Sequence, residues 1–156
     1  MSPSLTVVAL PGIPEVRAGD EPADLIHDAL ARPGAPELAD DAVLVVAHKL
    51  ISKAEGRTRR LSEITPTARA HELVERLDGH RQKDPRHVQA VLDETAEVRR
   101  AEHGVLICLT HHGFVCANAG VDASNTADPD TVVLLPSDPD ASARRLRAGQ
   151  IGRAHV

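Results

Sequence analysis

The sequence predicts a mixed α/β fold, in which helices flank a mixed sheet that contains at least one antiparallel hairpin. Apolar segments typical of buried strands alternate along the chain with segments whose apolar residues recur at helical spacing. Hydrophobic residues make up 42% of the 156 residues, yet Phe114 is the only aromatic one. The core is therefore expected to consist of Val, Leu, Ile and Ala, a composition that favours helices packed on a Val-rich sheet.

The first third of the chain predicts two strands, one loop and two helices. Residues 5–10 are a predicted strand, and the continuously apolar residues 42–47 are typical of a central strand covered on both faces. Between them, PGIPEVRAGD at residues 11–20 predicts an ordered loop, because its prolines and glycines cannot continue a sheet or a helix. One helix is predicted to begin at Pro22, and a short second helix is predicted to end at Gly56.

The rest of the chain predicts four more strands and three more helices. The strands are residues 57–61, 104–109, 114–117 and 131–135, and the helices lie between Pro66 and Leu77, after Asp84 and after Asp138. The turn HHG joins the second and third of these strands as an antiparallel hairpin. Asp84 and Asp138 each precede a proline, and this pair is a common N-cap and first turn of a helix.

Charge and hydropathy argue against two classes of partner. The net charge is −5 and no basic run is present, so a nucleic-acid surface is not expected. No apolar run approaches the ~20 residues that span a bilayer, and the N-terminus lacks the basic region of a signal peptide. We therefore expect a cytoplasmic protein that does not bind membranes. Cys108 and Cys116 lack CxxC spacing and are expected to be reduced, buried thiols.

The last six residues, IGRAHV at 151–156, match the translation of a widely used sequencing adapter. We therefore interpret them as a non-native tail and expect the natural gene to continue. The alternative is a genuine C-terminus. On the first interpretation, residues 1–150 are the N-terminal part of a longer domain, and the tail is excluded from functional reasoning.

Two segments are candidates for phosphate binding, although the standard nucleotide and hydrolase signatures are missing from the sequence. Lys49 and Lys53 are four residues apart and project to one side, at the end of a predicted buried strand where α/β folds place ligands. Two lysines on a short helix can equally be solvated. The loop at residues 11–20 could close over a nucleotide, or it could serve only as a rigid connection.

Asp122 is the strongest site candidate, because it is a single carboxylate within the small-residue segment THHGFVCANAGVDASN at residues 110–125. Small residues let the backbone approach a ligand closely, and an isolated carboxylate can coordinate Mg²⁺ or Mn²⁺ together with water and phosphate. Asn125 could bind a nucleotide, and Ser124 could do the same. The alternative is a turn in which Asp122 and Asn125 bond to their own backbone.

Two other pairs of polar residues give weaker predictions. His111 and His112 are adjacent, so on a strand they would face opposite sides and could not easily chelate one ion. A role in the hairpin turn or toward a substrate is the better interpretation. Asp138 and Asp140 are better explained by helix capping and the helix dipole than by catalysis.

Four motifs in one order resemble a known family. They are PGIPEVRAGD at 11–20, VLVVAHKLISKAEG at 43–56, HHGFVCANAGVDASN at 111–125 and LLPSDPDASARRLR at 134–147. Together they resemble the coenzyme F420:L-glutamate ligase family over residues 5–147. The resemblance implies an enzyme: a GTP-dependent ligase that uses an acyl phosphate to join L-glutamate to the F420 precursor (F420-0) by amide and then gamma-glutamyl bonds.

The resemblance also implies site residues and cofactors. The nucleotide positions are Ile13, Pro14, Glu15, Val16, His48, Lys53 and Asn125, and the metal ligand is Asp122. His48 stands where a family member has a small polar nucleotide contact. The cofactors implied are Mn²⁺ or Mg²⁺, with GTP as a substrate, and the family admits a monovalent cation such as K⁺. L-glutamate and the F420 precursor are the other partners, and a homodimer is implied for the full-length protein.

The sequence also departs from the family pattern. The usual GDDL is GDEP at residues 19–22. A second metal-binding Asp-Thr pair and a later glycine-rich nucleotide segment are missing, which implies a C-terminally truncated ligase that is inactive alone. Two alternatives are a nucleotide- or metal-binding module without turnover and a metal-dependent phosphotransferase acting on another carboxylate.

Overall fold

The computed structural model describes residues 5–39, 42–77, 83–124, 126 and 128–151. The chain divides into two compact units. The first unit combines Met1–Gly56 with Pro139–Val156, and the second unit is Arg57–Asp138. The predicted mixed α/β class is confirmed, because helices occur together with antiparallel strands.

The described part of the first unit contains three helices. They are α1 at Pro22–Leu30, α2 at His48–Ala54 and α5 at Pro139–Ile151. The predicted helix starts at Pro22 and Pro139 are confirmed, and proline is favourable there because the first N–H of a helix has no intrahelical acceptor. Gly56 has φ +68°, the left-handed conformation predicted for the residue after α2. No helix among the described residues has both the length and the apolar character needed to cross a bilayer.

The second unit contains two helices and five strands in its described part. The helices are α3 at Ala68–Arg76 and α4 at Pro85–Asp93, and the strands are β1 at Thr58–Arg60, β2 at Thr95–Glu102, β3 at Val105–Thr110, β4 at Val115–Ala117 and β5 at Thr131–Val133. Two antiparallel sheets result, β1-β5 and β2-β3-β4, in place of the single mixed sheet that the sequence predicts. The predicted hairpin is confirmed as β3 and β4, in which Cys108 lies opposite Cys116.

Strand β2 is an element that the sequence analysis does not predict. Its charged residues form ion pairs along the strand, between Arg99 and Glu97 at 3.0 Å and between Arg100 and Glu102 at 2.6 Å. Val98 and Ala101 both pack against the core although they are three residues apart. Register shifts in the pairing with β3 interrupt the two-residue alternation that would have identified the strand.

The core of the second unit is aliphatic, as predicted from the composition. Its largest fully buried apolar side chains are Leu73, Val88, Val91, Leu106, Val132, Val133 and Leu134. They come from both helices, from β3 and β5, and from the residue after β5, so burial of these side chains holds helices and strands together. Phe114 lies outside this core and is exposed.

Polar side chains stabilise the starts of α3 and α4. The Thr67 hydroxyl accepts a hydrogen bond from the Ala70 backbone N–H at 3.4 Å. Gln89 from α4 accepts hydrogen bonds from the Thr67 backbone and hydroxyl at 2.9 and 2.7 Å, which links the two helices. Asp84 accepts from the Arg86 backbone N–H at 2.8 Å, so its predicted role as the N-cap of α4 is confirmed.

The predicted strands at residues 5–10 and 42–47 are wrong. Neither segment forms a strand, and Val7, Val43 and Val45 are largely exposed. An apolar segment becomes a strand only when another strand satisfies its backbone N–H and C=O groups, and no described residue pairs with either segment. The apolar composition was therefore not sufficient evidence for burial.

Val43→Thr and Val132→Thr are the same nearly isosteric change. We expect them to lower the free energy of unfolding by different amounts. Val43 is 84% exposed, so its substitution should change the free energy of unfolding by less than about 0.5 kcal/mol. Val132 is 0% exposed, so a hydroxyl there should cost about 1–3 kcal/mol. Urea denaturation of both variants measures the difference. An equal loss in both would show that residues 42–47 are buried.

Candidate functional site

The loop at residues 11–20 is ordered, as the sequence predicts, and it is attached to α2. Arg17 and Asp20 close a turn, in which the Asp20 carboxylate accepts from the Arg17 backbone N–H at 2.7 Å. Gly19 has φ +92° and donates its N–H to the Ala54 carbonyl at the end of α2, at 2.9 Å. These contacts hold the loop against the helix that carries Lys53.

The structure brings one of the nucleotide residues predicted in the loop, Glu15, into contact with Lys53. Of the loop residues, Val16 is buried, Ile13 is half-buried, and Pro14 and Glu15 are exposed. The Lys53 ammonium donates a hydrogen bond of 2.5 Å to Glu15 Oε1, across 38 residues of sequence. The Lys53 side chain is only 15% exposed, whereas that of Glu15 is 66% exposed. A cation is thus held at the loop by a carboxylate that faces solvent.

His48 and Lys49 form the first turn of α2, and both are half-buried. Farther along this helix, Glu55 accepts hydrogen bonds from the Ser142 hydroxyl and from Arg145 Nη2, the latter at 3.0 Å. These residues of α5 and the end of α2 line a cavity of about 150 Å³. Because Glu55 bonds to Ser142 and Arg145 across this cavity, we interpret it as a structural contact between helices.

In the second unit, a left-handed turn precedes Asp122. Asn118, Ala119 and Gly120 have φ values of 50°, 50° and 74°. Residues with side chains adopt this conformation at a cost, so other contacts must stabilise the turn. The Asn118 side-chain carbonyl accepts a hydrogen bond from the Leu106 backbone N–H at 3.3 Å. Ala119 is fully buried.

Asp122 is positioned by backbone pairing and by its own side chain. Its N–H and C=O bond to the C=O and N–H of Val133, at 2.9 and 2.8 Å. Its carboxylate Oδ1 accepts from the Ser124 backbone N–H at 2.6 Å. This is the Asx-type turn that the sequence analysis considered as the alternative to a metal site. Turn formation and metal binding are compatible, since a carboxylate has two oxygens and several acceptor positions.

Asp122 fits the type of Mg²⁺ or Mn²⁺ site in which one carboxylate shares the ion with water and phosphate oxygens. In the parts of the chain that the structure describes, no three His, Cys, Asp or Glu side chains form a group that could hold a metal. Among the described residues, Asp122 is therefore a candidate for a metal site that takes one carboxylate from the protein. Asn125, the predicted nucleotide contact nearby, lies outside the described residues.

His112 lies in the hairpin turn, where its Nε2 is 3.1 Å from the Ser137 carbonyl oxygen and its ring stacks on Phe114 at 6.0 Å. These contacts agree with the predicted turn role. Cys108 is buried, as expected, whereas Cys116 is only half-buried, so the expectation of two buried thiols is confirmed for Cys108 alone. Burial raises the pKa of the Cys116 thiol. The two thiols lie opposite each other, a proximity that only the strand register reveals.

The structure also identifies a charged cluster that sequence reasoning did not find. Lys83 donates a hydrogen bond to the Asn118 side-chain carbonyl at 3.2 Å, and burial lowers the pKa of Lys83. Burial and the Lys83 charge lower the pKa of His87, while the Asp84 and Asp122 carboxylates act in the opposite direction. The only sequence signal for this cluster was a lone lysine before the cap of α4.

The comparison with known proteins identifies the family. The family model described as F420-0:Gamma-glutamyl ligase matches residues 12–153. The chain belongs to this family. The resemblance recognised from the four motifs is confirmed.

Named ligases from archaea are similar to the chain over most of its length. The Coenzyme F420:L-glutamate ligase of Methanothermobacter thermautotrophicus is 42% identical over 142 residues, which are 91% of this chain and 54% of that relative. The ligase of Methanopyrus kandleri is 43% identical over 93% of this chain and 53% of its own length. That of Haloarcula marismortui is 40% identical over 93% of the chain and 54% of its own length. The chain spans about half the length of the curated relatives it matches.

We expect Gly120→Ala to destabilise this family member more than Gly113→Ala does. Both glycines have positive φ, so either alanine should cost about 1–2 kcal/mol. A Cβ at Gly120 would also lie 2.6 Å from Leu135 Cγ, whereas nothing lies within 4 Å of a Cβ at Gly113. The clash should add about 1–3 kcal/mol, as measured by urea denaturation. Equal losses would show that Leu135 moves aside without cost.

Proposed function

We propose that this chain takes part in the GTP-dependent ligation of L-glutamate to the coenzyme F420 precursor. The contact between Lys53 and Glu15 carries the proposal, because it joins the loop and the helix that are expected to bind the nucleotide. The proposal is supported by the similarity to a protein named Coenzyme F420:L-glutamate ligase, which is 42% identical to this chain over 91% of the chain. Fold class alone would not support this function, since similar folds host unrelated activities.

Lys53 is suited to bind nucleotide phosphate. Its ammonium lies in a mostly buried position, where an interaction with an anion is less screened than at the surface. In the absence of a ligand, the Glu15 carboxylate balances the charge of Lys53. The Glu15 side chain is exposed, so it can turn toward solvent when a phosphate binds. Residues 13–16 would then contact the nucleotide beside Lys53.

Asp122 would supply the protein carboxylate of a divalent metal site. A bound Mg²⁺ or Mn²⁺ would neutralise charge on the phosphate oxygens and orient them for transfer. The left-handed turn and the pairing with Val133 hold Asp122 before any ligand binds. Such preorganisation reduces the reorganisation needed during reaction.

The proposed reaction has two steps. A carboxylate oxygen of the F420 precursor attacks the γ-phosphorus of GTP, the bond from this phosphorus to the bridging oxygen breaks, and GDP leaves. The glutamate nitrogen then attacks the acyl carbon, the bond from this carbon to the phosphate oxygen breaks, phosphate leaves, and the nitrogen loses a proton to water. Positioning and charge neutralisation are the main requirements, and no side-chain nucleophile is needed.

The test uses the full reading frame that encodes this chain, incubated with the F420 precursor, GTP, Mn²⁺ and ¹⁴C-labelled L-glutamate. We expect the label to appear in the F420 product, with one GDP formed for each amide bond. GDP formation without labelled product would contradict ligation and support a phosphotransferase. GTP binding without either product would support a binding module.

A matched pair of variants in the same assay tests the nucleotide site. Lys53→Ala should raise the KM for GTP at least about tenfold, because it removes a charge-assisted hydrogen bond. Lys49→Ala, on the same helix, should change that KM by less than about threefold. Neither variant should alter the KM for L-glutamate. Equal weakening of both substrates by Lys53→Ala would indicate misfolding instead of a phosphate contact.

Asp122→Asn and Asp122→Ala separate the metal role from the turn role. Asparagine keeps an oxygen that can accept from Ser124, so it should preserve stability while removing the charge. We expect Asp122→Asn to weaken Mn²⁺-dependent GTP binding at least about tenfold in the full reading frame, as measured by calorimetry. Asp122→Ala should also lower the melting temperature. Unchanged binding in Asp122→Asn would leave Asp122 with the turn role alone.

A further inference from the structure

Lys83 is a half-buried cation without a carboxylate partner among the described residues. Its ammonium donates to the neutral side-chain carbonyl of Asn118, at 3.2 Å. The adjacent carboxylate of Asp84 is engaged by Arg86, whose Nη2 lies 2.6 Å from Asp84 Oδ2. Burying a charge without a counter-ion is unfavourable, and burial accordingly lowers the pKa of Lys83. An anion that binds from outside would offset this cost.

A cavity provides the space for such an anion. Its volume is about 380 Å³, within the range of small-molecule sites, and it is lined by His71, Val74, Glu75, Lys83, Asp84 and Pro85. Lys83 supplies a positive charge, and the exposed Glu75 supplies a negative charge in the same cavity. Val74 and Pro85 contribute apolar surface. The Asp84 carboxylate is already engaged by Arg86. The Lys83 cation, the Glu75 carboxylate and the apolar surface together complement an amino-acid zwitterion.

The cavity is connected to the candidate metal ligand through contacts within the second unit. Asn118, which accepts from Lys83, is the first residue of the left-handed turn that leads to Asp122. Burial and the Lys83 charge lower the pKa of His87 in the same unit, while the Asp84 and Asp122 carboxylates act in the opposite direction. A carboxylate bound by Lys83 would therefore contact the group that anchors the turn before Asp122.

We propose that Lys83 binds a carboxylate of the amino-acid substrate in this cavity, with the ammonium of that substrate toward Glu75. The inference rests on the proposed function for the identity of the ligand, L-glutamate. The chemistry that Lys83 recognises is an oxyanion, which inorganic phosphate also presents. The observations favour the amino acid, because phosphate has no group complementary to Glu75.

The test takes advantage of the lysine content of the chain. Lys49, Lys53 and Lys83 are the only lysines, so protein labelled with [ε-¹³C]lysine gives three side-chain NMR signals. Single Lys→Arg variants assign them. The 156-residue chain is used for this test, because it contains every residue that lines the cavity, all of them in the second unit. A cooperative urea transition verifies that this chain is folded.

Addition of L-glutamate should move the Lys83 signal along a saturable curve and leave the Lys49 signal in place. Lys83→Met should weaken L-glutamate binding, measured by calorimetry, at least about tenfold, while Lys83→Arg retains part of it. The proposal is overturned if the Lys83 signal does not move, if inorganic phosphate moves it equally at the same concentration, or if all three signals move together. The first of these outcomes is also expected if Lys83 serves only to hold the Asn118 turn.

Glu75→Gln provides a second, milder variant. Glu75 is exposed at the cavity, so the substitution should leave the urea transition unchanged while weakening L-glutamate binding about threefold or more. Unchanged binding would overturn the assignment of Glu75.

The labelled ligation assay separates failure of this inference from failure of the proposed function. A saturable Lys83 response without any labelled product would reject the ligase and retain the amino-acid site. Labelled product with an unmoved Lys83 signal would retain the ligase and reject the site.

Discussion

The left-handed turn at Asn118–Gly120 is the constraint on which the candidate site of the second unit depends. Two of its three residues carry side chains, and each adopts a conformation that costs about 1–2 kcal/mol. The structure offsets this cost locally. Asn118 accepts hydrogen bonds from Leu106 and Lys83, and Ala119 is fully buried. The turn delivers Asp122 to the position where it pairs with Val133.

Contacts from other elements stabilise the turn, so its position depends on how those elements pack. Leu106 belongs to β3 and Lys83 precedes α4, so the side chain of Asn118 links a strand to a helix start. A change at Lys83 therefore has a route to Asp122 through this hydrogen bond, because Asn118 begins the turn that leads to Asp122. For this reason, ligand binding has to be observed at Lys83 itself and cannot be deduced from a loss of activity.

Features determined by local sequence were predicted correctly, and features determined by pairing were not. The proline starts of α1 and α5, the Asp84 cap and the β3-β4 hairpin depend on a few adjacent residues. Strand β2 was missed because register shifts break its alternation, and residues 5–10 and 42–47 were overinterpreted because apolar composition cannot identify a pairing partner. The same difference applies to the site. Asp122 was recognisable within its own segment, whereas the Lys83 cluster depends on a contact across 35 residues.

The two types of basic residue have different roles in this chain. Arginines form most of the ion pairs, such as Arg57 with Glu94 and Arg86 with Asp84, and their planar groups suit such fixed contacts. Lysine is rare, and Lys53 and Lys83 each lie at a position where a ligand is proposed. A lysine ammonium has three N–H donors on a flexible stem. It can therefore donate to a protein partner and to a ligand oxygen at the same time. The partner of Lys53 is an exposed carboxylate that competes with the ligand, and the partner of Lys83 is a neutral amide that does not. A ligand oxygen at Lys53 would therefore compete with the Glu15 carboxylate, whereas one at Lys83 would share the ammonium with a neutral amide. Of the two proposed sites, Lys83 is the one whose cation has no carboxylate partner among the described residues.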